Sequence, residues 1–266
     1  MWKNRKPKKI AFFDLDGTLV SHKINAVPES ARRTLLSLQK KGILVVLATG
    51  RHEMELKKLP GNDIPFDGYL TLNGQFSRDK DGRILYESPL CKEDVAAMHA
   101  LFMKKEIPVL FKEKERIYIN FVNDRVVQTQ KEINTPVPVI GEYMGDAVYQ
   151  VVVFIDKDKE DQILQLLKES TITRWNSKAS DVVPKSGGKG KGIMEYLHSI
   201  SMTQEDAMAF GDGHNDLDML QVVSLGICMG NGEDCVKEIA DYVTDTVDCD
   251  GIEKAMLALG YLSSGS

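Results

Sequence analysis

Short apolar runs alternate with amphipathic segments over the first 80 residues of the chain. The run "IAFF" at residues 10–13 precedes an amphipathic segment at residues 28–41, and "ILVVLATG" at residues 43–50 precedes a short helical segment at residues 52–59. A further apolar run, "GYLTLNG", follows at residues 68–74. Continuous runs of this length are typical of strands buried on both faces of a parallel sheet. The pattern therefore predicts β-α-β units.

The pattern changes in the middle of the chain. The segments "GRILYES", "IPVLFKEKERIYINF" and "AVYQVVVFI" indicate hairpin or mixed strands, and "KEKER" within them predicts a charged hairpin turn. Helical patterns occur near residues 92–105 and 157–170, and the loop "INTPVPVIGEYMG" is rich in proline and glycine. These features predict an α+β region rather than further β-α units.

The β-α alternation returns after residue 189. Helices are predicted at residues 191–200, 215–222 and 233–240, with a final helix from Gly251. The apolar runs "AMAFG" and "LGICMG" lie between them as predicted strands.

The order of these patterns predicts an α/β fold, in which a Rossmann-like parallel-sheet core is interrupted by an inserted α+β cap domain. The core is expected to comprise residues 1–80 and 184–266, and the cap residues 81–183.

Composition adds few constraints. The chain has 266 residues, 42% of them hydrophobic, and a formal net charge of −5, which gives no strong field for nucleic acid or a membrane surface. Its apolar runs are far shorter than the roughly 20 residues that span a bilayer. The four cysteines form no CxxC pair, and we interpret them as reduced and mostly buried, in a cytoplasmic protein, rather than as a disulfide framework or zinc site.

Polar residues collect where the predicted parallel strands end, which is where open α/β sheets bind ligands. The residues that follow these strands, or that open the helix after the insert, are Asp14, Asp16, Thr49, Gly50, Arg51, Asn73, Gly74, Lys189, Asp212, Asn215 and Asp216. So many carboxylates in one crevice call for a divalent cation, and Mg²⁺ fits because it prefers oxygen ligands and often binds together with a phosphate. The lysine, the hydroxyl and the glycine-rich turns fit a phosphoryl group. His214 is interpreted as a loop histidine, since a hard-oxygen site has no need of it.

Four motifs in this order resemble the four signatures of the haloacid dehalogenase-like hydrolases. They are "DLDGT" at residues 14–18, "ATGR" at 48–51, "GGKGKG" at 187–192 and "GDGHNDLDM" at 211–219. The runs "TLNG" and "MGN", the latter followed by "VKEIADYVT", are similar to the Cof-type phosphatase branch. That branch has a large α+β cap between the second and third signatures, where the pattern changes here.

The resemblance implies a role for each matching residue. Asp14 would be the nucleophile that forms an aspartyl-phosphate, and Asp16 the general acid and base, with its backbone carbonyl on Mg²⁺. Asp14, Asp212 and Asp216 would bind the metal through their side chains, Asp216 directly or through water. Thr49, Gly50, Lys189 and Asn215 would hold the phosphate, with Asn215 contacting either the phosphate or Lys189. Arg51, Asn73 and Gly74 are further candidates for substrate contacts.

The third motif departs from the family pattern just before its lysine, in "KSGGKGKG". Lys189 and Lys191 are therefore both candidates for the phosphate ligand, and we choose Lys189 because of its spacing after Pro184 and Lys185.

The expected function is Mg²⁺-dependent hydrolysis of small phosphorylated metabolites, such as sugar phosphates or nucleotide-like monoesters. A phosphomutase is one alternative, although mutase relatives more often carry a small helical cap between the first and second signatures. The other alternative is a non-catalytic regulatory protein that binds a phosphometabolite, although a binding module has no reason to retain both Asp14 and Asp16. The sequence leaves the substrate, the cap residues that recognise it and the oligomeric state open.

Overall fold

The computed structural model describes residues 8–133 and 135–263, and the chain divides into two compact units. One unit comprises residues 1–87 and 188–266, and the other comprises residues 88–187. The second unit is thus an insertion in the sequence of the first. The predicted core boundary at residue 80 lies seven residues before the observed one.

The N-terminal segment of the first unit alternates strands and helices. Its elements are β1 (Ile10–Phe13), α1 (Glu29–Lys40), β2 (Leu44–Ala48), α2 (Glu53–Leu56), β3 (Gly68–Thr71), β4 (Phe76–Asp79) and β5 (Ile84–Glu87). Helix α1 follows Pro28, whose fixed φ suits a helix start, and ends before Gly42 at φ +78°. Its buried side chains include Leu35 and Leu38, which pack on the sheet.

The inserted unit mixes helices with mostly antiparallel strands. Its elements are α3 (Lys92–Lys104), β6 (Val109–Glu113), β7 (Ile117–Ile119), α4 (Asp124–Glu132), β8 (Val139–Ile140), β9 (Val148–Val153), α5 (Glu160–Leu164), β10 (Ser170–Asn176) and β11 (Ala179–Pro184). Among the described residues, six strands form a sheet in the order β10-β11-β9-β6-β7-β8, in which the β7–β8 pair is parallel. The α+β character predicted for this region is therefore observed.

The C-terminal segment restores the strand–helix alternation of the first unit. Its elements are α6 (Lys189–Ser199), β12 (Ala207–Gly211), α7 (Leu217–Val222), β13 (Gly226–Cys228), α8 (Asp234–Ile239), β14 (Tyr242–Val243) and α9 (Gly251–Ala258). Within the described residues none of these or the earlier helices is both long and apolar enough to span a bilayer.

The sheet of the first unit places the ends of its central strands side by side. Across the described part of the chain, eight strands have the order β14-β13-β12-β1-β2-β3-β4-β5. The pairs from β14 to β3 are parallel, and β4 and β5 add an antiparallel edge. Buried apolar side chains cover both faces, so β1, fully buried, lies at the centre. The α/β fold with a parallel-sheet core is confirmed.

Some predicted elements are wrong in extent. The helix predicted at residues 157–170 is instead a 3₁₀ turn at Lys157–Lys159 followed by the short α5, and the strand β10 already begins at Ser170. Helix α4 was not predicted, although Asn123 caps it by accepting a hydrogen bond from the backbone N–H of Val126 at 3.2 Å. Polar residues dominate α4, and Val126 and Val127 are its only apolar residues, so no apolar run marks it in the sequence.

A buried carboxylate supports the inserted unit, and it gives a testable prediction. Asp94 accepts hydrogen bonds from the backbone N–H groups of Lys168 at 2.6 Å and Glu169 at 3.1 Å. Burial alone would raise the pKa of Asp94, but these bonds lower it below its ordinary value. We expect Asp94→Asn to reduce the free energy of unfolding by about 2 kcal/mol at pH 7. Because the folded-state pKa is lowered, this difference should shrink as the pH falls below about 4.

Urea denaturation at several pH values measures the effect, with Glu93→Gln, an exposed neighbour, as the control. A loss that does not change with pH would contradict an electrostatic origin.

Candidate active site

Asp14 lies at the carboxyl end of the central strand β1, in a nearly buried position. Its backbone N–H bonds to the carbonyl of Phe210 at 3.0 Å, which continues the pairing with β12. The residue as a whole is 6% exposed. Burial is the main reason that the pKa of Asp14 is raised well above its ordinary value; Lys189 opposes this, and the neighbouring carboxylates of Asp216 and Asp212 reinforce it.

Lys189 is a fully buried cation between two carboxylates. Its Nζ donates to Oδ1 of Asp14 at 2.5 Å and to Oδ1 of Asp216 at 2.6 Å. Burial lowers the pKa of Lys189, but the two carboxylates outweigh this effect and raise it above its ordinary value. Lys191 is instead exposed and bonds to Glu195 one turn along α6 at 2.5 Å. The structure therefore places Lys189, and not Lys191, beside the predicted nucleophile.

Asp212 and Asp216 are positioned by the turn that follows β12. Oδ2 of Asp216 accepts hydrogen bonds from the backbone N–H groups of Asp212 at 2.9 Å and Gly213 at 3.0 Å, which fixes the turn. Oδ1 of Asp212 accepts a hydrogen bond from the Thr18 hydroxyl at 2.7 Å. Burial raises the pKa of Asp212 to about 6, although the bond from Thr18 opposes the shift.

The side chains of Asp14, Asp212 and Asp216 converge as a possible metal site. Each offers a carboxylate oxygen, and these atoms lie within 4.8 Å of one another. Three carboxylates at this separation repel each other, and this repulsion adds to the effect of burial in raising the pKa values of Asp14 and Asp212. Their donor set is entirely hard oxygen, which fits Mg²⁺. The residues predicted to ligate through their side chains are thus brought together.

The carboxylate of Asp16 lies apart from this trio and pairs with Arg51. Oδ2 of Asp16 accepts from Nε of Arg51 at 2.9 Å, and Oδ1 accepts from Nη2 at 3.0 Å. Burial alone would lower the pKa of Arg51, but this carboxylate raises it. Arg51, a candidate for substrate contact in the sequence, therefore holds the predicted acid–base residue in a two-pronged ion pair.

The loop of the second motif and the loop after β3 meet close to this pair. Thr49 is buried, and its Oγ1 accepts a hydrogen bond from the backbone N–H of Arg51 at 3.1 Å. Asn73 follows β3, and its backbone N–H donates to the carbonyl of Thr49 at 3.1 Å. A Cβ on Gly50 would lie 2.8 Å from Oδ1 of Asn73, so only glycine leaves room for this contact.

Two further predicted residues occupy the edges of the same site. Nδ2 of Asn215 donates to Oδ1 of Asn73 at 3.1 Å, so this amide links two motif loops and is not hydrogen-bonded to Lys189. Gly74 has φ +87°, and a Cβ there would lie 2.3 Å from the carbonyl oxygen of Gly188. The glycine thus permits the loop after β3 to approach the start of α6.

Sequence reasoning missed two residues that brace the site. Oδ2 of Asp218 accepts a hydrogen bond from the backbone N–H of Gly190 at 2.9 Å, which fixes the start of α6. Nδ2 of Asn231 donates to the carbonyl of Gly17 at 2.8 Å, and its Oδ1 accepts from the N–H of Val247 at 2.9 Å. Asn231 belongs to the "MGN" motif, which was noticed without a role.

The close approach of Gly17 to Asp212 gives a second prediction. Gly17 has φ +86°, and a Cβ there would lie 2.2 Å from Oδ2 of Asp212. Gly82 has φ +87° but open space around it, so it is a matched control for backbone strain. We expect Gly17→Ala to lower the free energy of unfolding by at least about 2 kcal/mol, and Gly82→Ala by about 1 kcal/mol. Chemical denaturation measures both; equal losses would mean that the Asp212 carboxylate moves aside without cost.

Comparisons with known proteins agree with the motif order. A family model described as haloacid dehalogenase-like hydrolase matches residues 11–256. YkrA of Bacillus subtilis (strain 168) is 32% identical over 257 residues, covering 96% of this chain and 98% of YkrA. BT1666 of Bacteroides thetaiotaomicron, studied among phosphatases of the haloalkanoate (HAD) superfamily, superposes with a TM-score of 0.87 at 29% identity over 96% of each chain. The HAD subclass IIB sugar phosphatase BT4131 gives a TM-score of 0.84 at 33% identity, covering 96% of this chain and all of that one.

Proposed function

We propose that this chain, which belongs to the haloacid dehalogenase-like hydrolases, is a Mg²⁺-dependent phosphatase that hydrolyses small phosphorylated metabolites through an aspartyl-phosphate on Asp14. A phosphatase activity is supported by the sugar phosphatase BT4131, which is 33% identical over 96% of this chain. Sugar phosphates are accordingly the first substrate class to test.

The observation that carries the proposal is the buried arrangement of Asp14, Lys189 and Asp216. A lysine with no exposed surface bonds to both carboxylates, so the cost of burying three charged groups is offset by their mutual pairing. A protein that only needed stability would do as well with apolar residues of similar size. The retained charges therefore favour a chemical role.

The attack on phosphorus is assigned to Asp14, which follows the central strand β1 and bonds to Lys189 at 2.5 Å. Covalent attack divides hydrolysis into two easier displacements. Lys189 holds Asp14 at a fixed position, and its ammonium would attract the non-bridging oxygens of the phosphoryl group. The backbone N–H of Gly50 and the hydroxyl of the buried Thr49 are further candidates to bind those oxygens.

Asp14, Asp212 and Asp216 would hold Mg²⁺ through their side chains, and the backbone carbonyl of Asp16 remains a proposed fourth ligand. When bound, the ion neutralises phosphate charge and keeps the crowded carboxylates ionised. The chain itself supplies the orientation, because hydrogen bonds from Thr18 and from the turn after β12 fix two of the three carboxylates.

Asp16 would donate a proton to the leaving group and would then accept a proton from the attacking water. Its two-pronged ion pair with Arg51 fixes the orientation of this carboxyl group. Donation to the leaving group would require Arg51 to release Asp16 and Asp16 to take up a proton. Arg51 is therefore proposed as a positioning residue for Asp16.

The direct test is phosphate release from a panel of phosphorylated metabolites in the presence of Mg²⁺, with kcat/KM measured for each. We expect turnover of sugar monophosphates. Interconversion of sugar-phosphate isomers without phosphate release would indicate a phosphomutase instead. Binding of phosphosugars without turnover of any compound would indicate a regulatory protein.

Removal of the metal gives a third prediction. We expect dialysis against a chelator to reduce phosphate release by at least about 100-fold, because three carboxylates lose the charge that offsets their repulsion. Added Mg²⁺ should restore the activity, whereas an equal ionic strength of Na⁺ should not. Full activity in the chelator would contradict the metal requirement.

A further inference from the structure

Three side chains outside the carboxylate trio converge beside the turn that follows β12. His214 lies in that turn, Glu233 is the residue before α8, and Cys235 lies in the first turn of α8. Sγ of Cys235 is 3.9 Å from Nδ1 of His214 and 4.0 Å from Oε2 of Glu233. One ligand atom from each residue lies within 4.8 Å of the others.

The cysteine prediction from the sequence is wrong at this position. Cys228 is buried as expected, but Cys235 and Cys249 are exposed. His214 is also exposed, and its ring nitrogen Nδ1 lies against the thiol of Cys235. An exposed thiol, an imidazole and a carboxylate on two adjacent backbone segments are a different donor set from the trio of aspartates.

We propose that His214, Glu233 and Cys235 form a second cation site, which binds Zn²⁺ in preference to Mg²⁺. Thiolate and imidazole ligands suit Zn²⁺, whereas Mg²⁺ requires oxygen ligands in an octahedral arrangement. Three protein ligands leave the fourth position of the tetrahedron to water, so the ion remains exchangeable.

The observed separations are close to those that the ion requires. Tetrahedral Zn²⁺ with bonds of about 2.3 Å to sulfur and about 2.0 Å to nitrogen or oxygen sets its ligands about 3.4–3.6 Å apart. The two separations from Sγ therefore need to close by about half an ångström. Side-chain rotation in exposed residues supplies such a movement without a change in the backbone.

The backbone between the ligands is already fixed. The N–H of His214 donates to Oε1 of Glu233 at 3.1 Å, and the N–H of Glu233 donates to the carbonyl of Asp212 at 2.9 Å. Within residues 8–133 and 135–263, the carboxylate of Glu233 forms no ion pair, so no cation of that part of the chain competes for it. Lys237, on the same helix, is 3.9 Å from Asp234 instead.

Occupation of this site would link α8 to the segment that carries Asp212 and Asp216. His214 lies between these two aspartates in the sequence, and a bound ion would hold it against the start of α8. The site is therefore suited to restrain the turn that follows β12.

The first test is a calorimetric titration of the full chain with Zn²⁺ in saturating Mg²⁺. The second is the absorption spectrum of the chain after addition of Co²⁺. We expect one Zn²⁺ per chain and a thiolate-to-cobalt charge-transfer band. Cys235→Ser should abolish the band, and both this variant and His214→Gln should weaken Zn²⁺ binding by at least about tenfold, since even outer-shell partners of a metal contribute that much.

Cys249→Ser is the matched control, because Cys249 is also exposed but lies outside the cluster. This variant should keep both the band and the affinity. Zn²⁺ binding of equal strength in the wild type and in Cys235→Ser would overturn the proposal, as would a band that depends on Cys249. Melting curves of the metal-free variants show whether each is folded. Since the readouts are binding and a spectrum, their failure would leave the proposed phosphatase activity untouched.

Discussion

Replacement of Asp14 with asparagine is expected to reduce phosphate release by at least about 10³-fold, because the amide cannot form the acyl phosphate. The substitution keeps the size and shape of the side chain, and it removes a charge whose burial is unfavourable. Lys189 keeps its bond to Asp216. We therefore expect the melting temperature of Asp14→Asn to equal or exceed that of the wild type.

The measurement is the initial rate of phosphate release at saturating substrate and Mg²⁺, with a thermal melt of each protein. Asp63→Asn serves as a control, since Asp63 is an exposed aspartate that pairs with Arg32 on the surface. It should leave the rate unchanged. An Asp14→Asn protein that remains within tenfold of the wild-type rate would contradict the role of Asp14 as nucleophile.

Replacement of Lys189 with alanine is expected to have the largest effect on stability. The substitution leaves the carboxylates of Asp14 and Asp216 buried without their cation, and breaking a buried pair of this kind costs about 3–5 kcal/mol. The same loss should abolish phosphate release, because Lys189 also holds Asp14 in place. Chemical denaturation in the absence of Mg²⁺ measures the free energy of unfolding of each variant.

Lys191→Ala is the matched control on the same helix. Lys191 is exposed and pairs with Glu195, so its loss should cost less than about 0.5 kcal/mol and leave the rate unchanged. Lys189→Met removes the charge but keeps much of the side-chain volume, so it separates the effect of the lost charge from the effect of lost packing. Equal stability of Lys189→Ala and Lys191→Ala would contradict the buried ion cluster.

The sequence predicted the fold class and the family, and both are confirmed. It could do so because the ends of parallel strands are local features: Asp14 follows an apolar run, and Asp212 follows another. The rule that such ends meet at one edge of a sheet then brings distant segments together. The roles assigned to these residues stay predictions, although the geometry brings most of them into one site.

The sequence did not predict which side chains pair with each other. Arg51 and Asp16 are 35 positions apart, and nothing in either motif indicates that one holds the other. The same applies to Asp218, which fixes the start of α6 from a neighbouring helix. Helix α4 was missed because Val126 and Val127 are its only apolar residues, although Asn123 caps its N-terminus.

The position of Lys189 has a consequence for how such a chain can diversify. The inserted unit ends at residue 187, and the first residue of α6 is the buried lysine. Every side chain assigned here to chemistry belongs to the other unit, so the insert can be exchanged or redesigned while the reacting groups keep their framework. One continuous stretch of sequence could therefore be replaced without altering the residues proposed to carry the reaction.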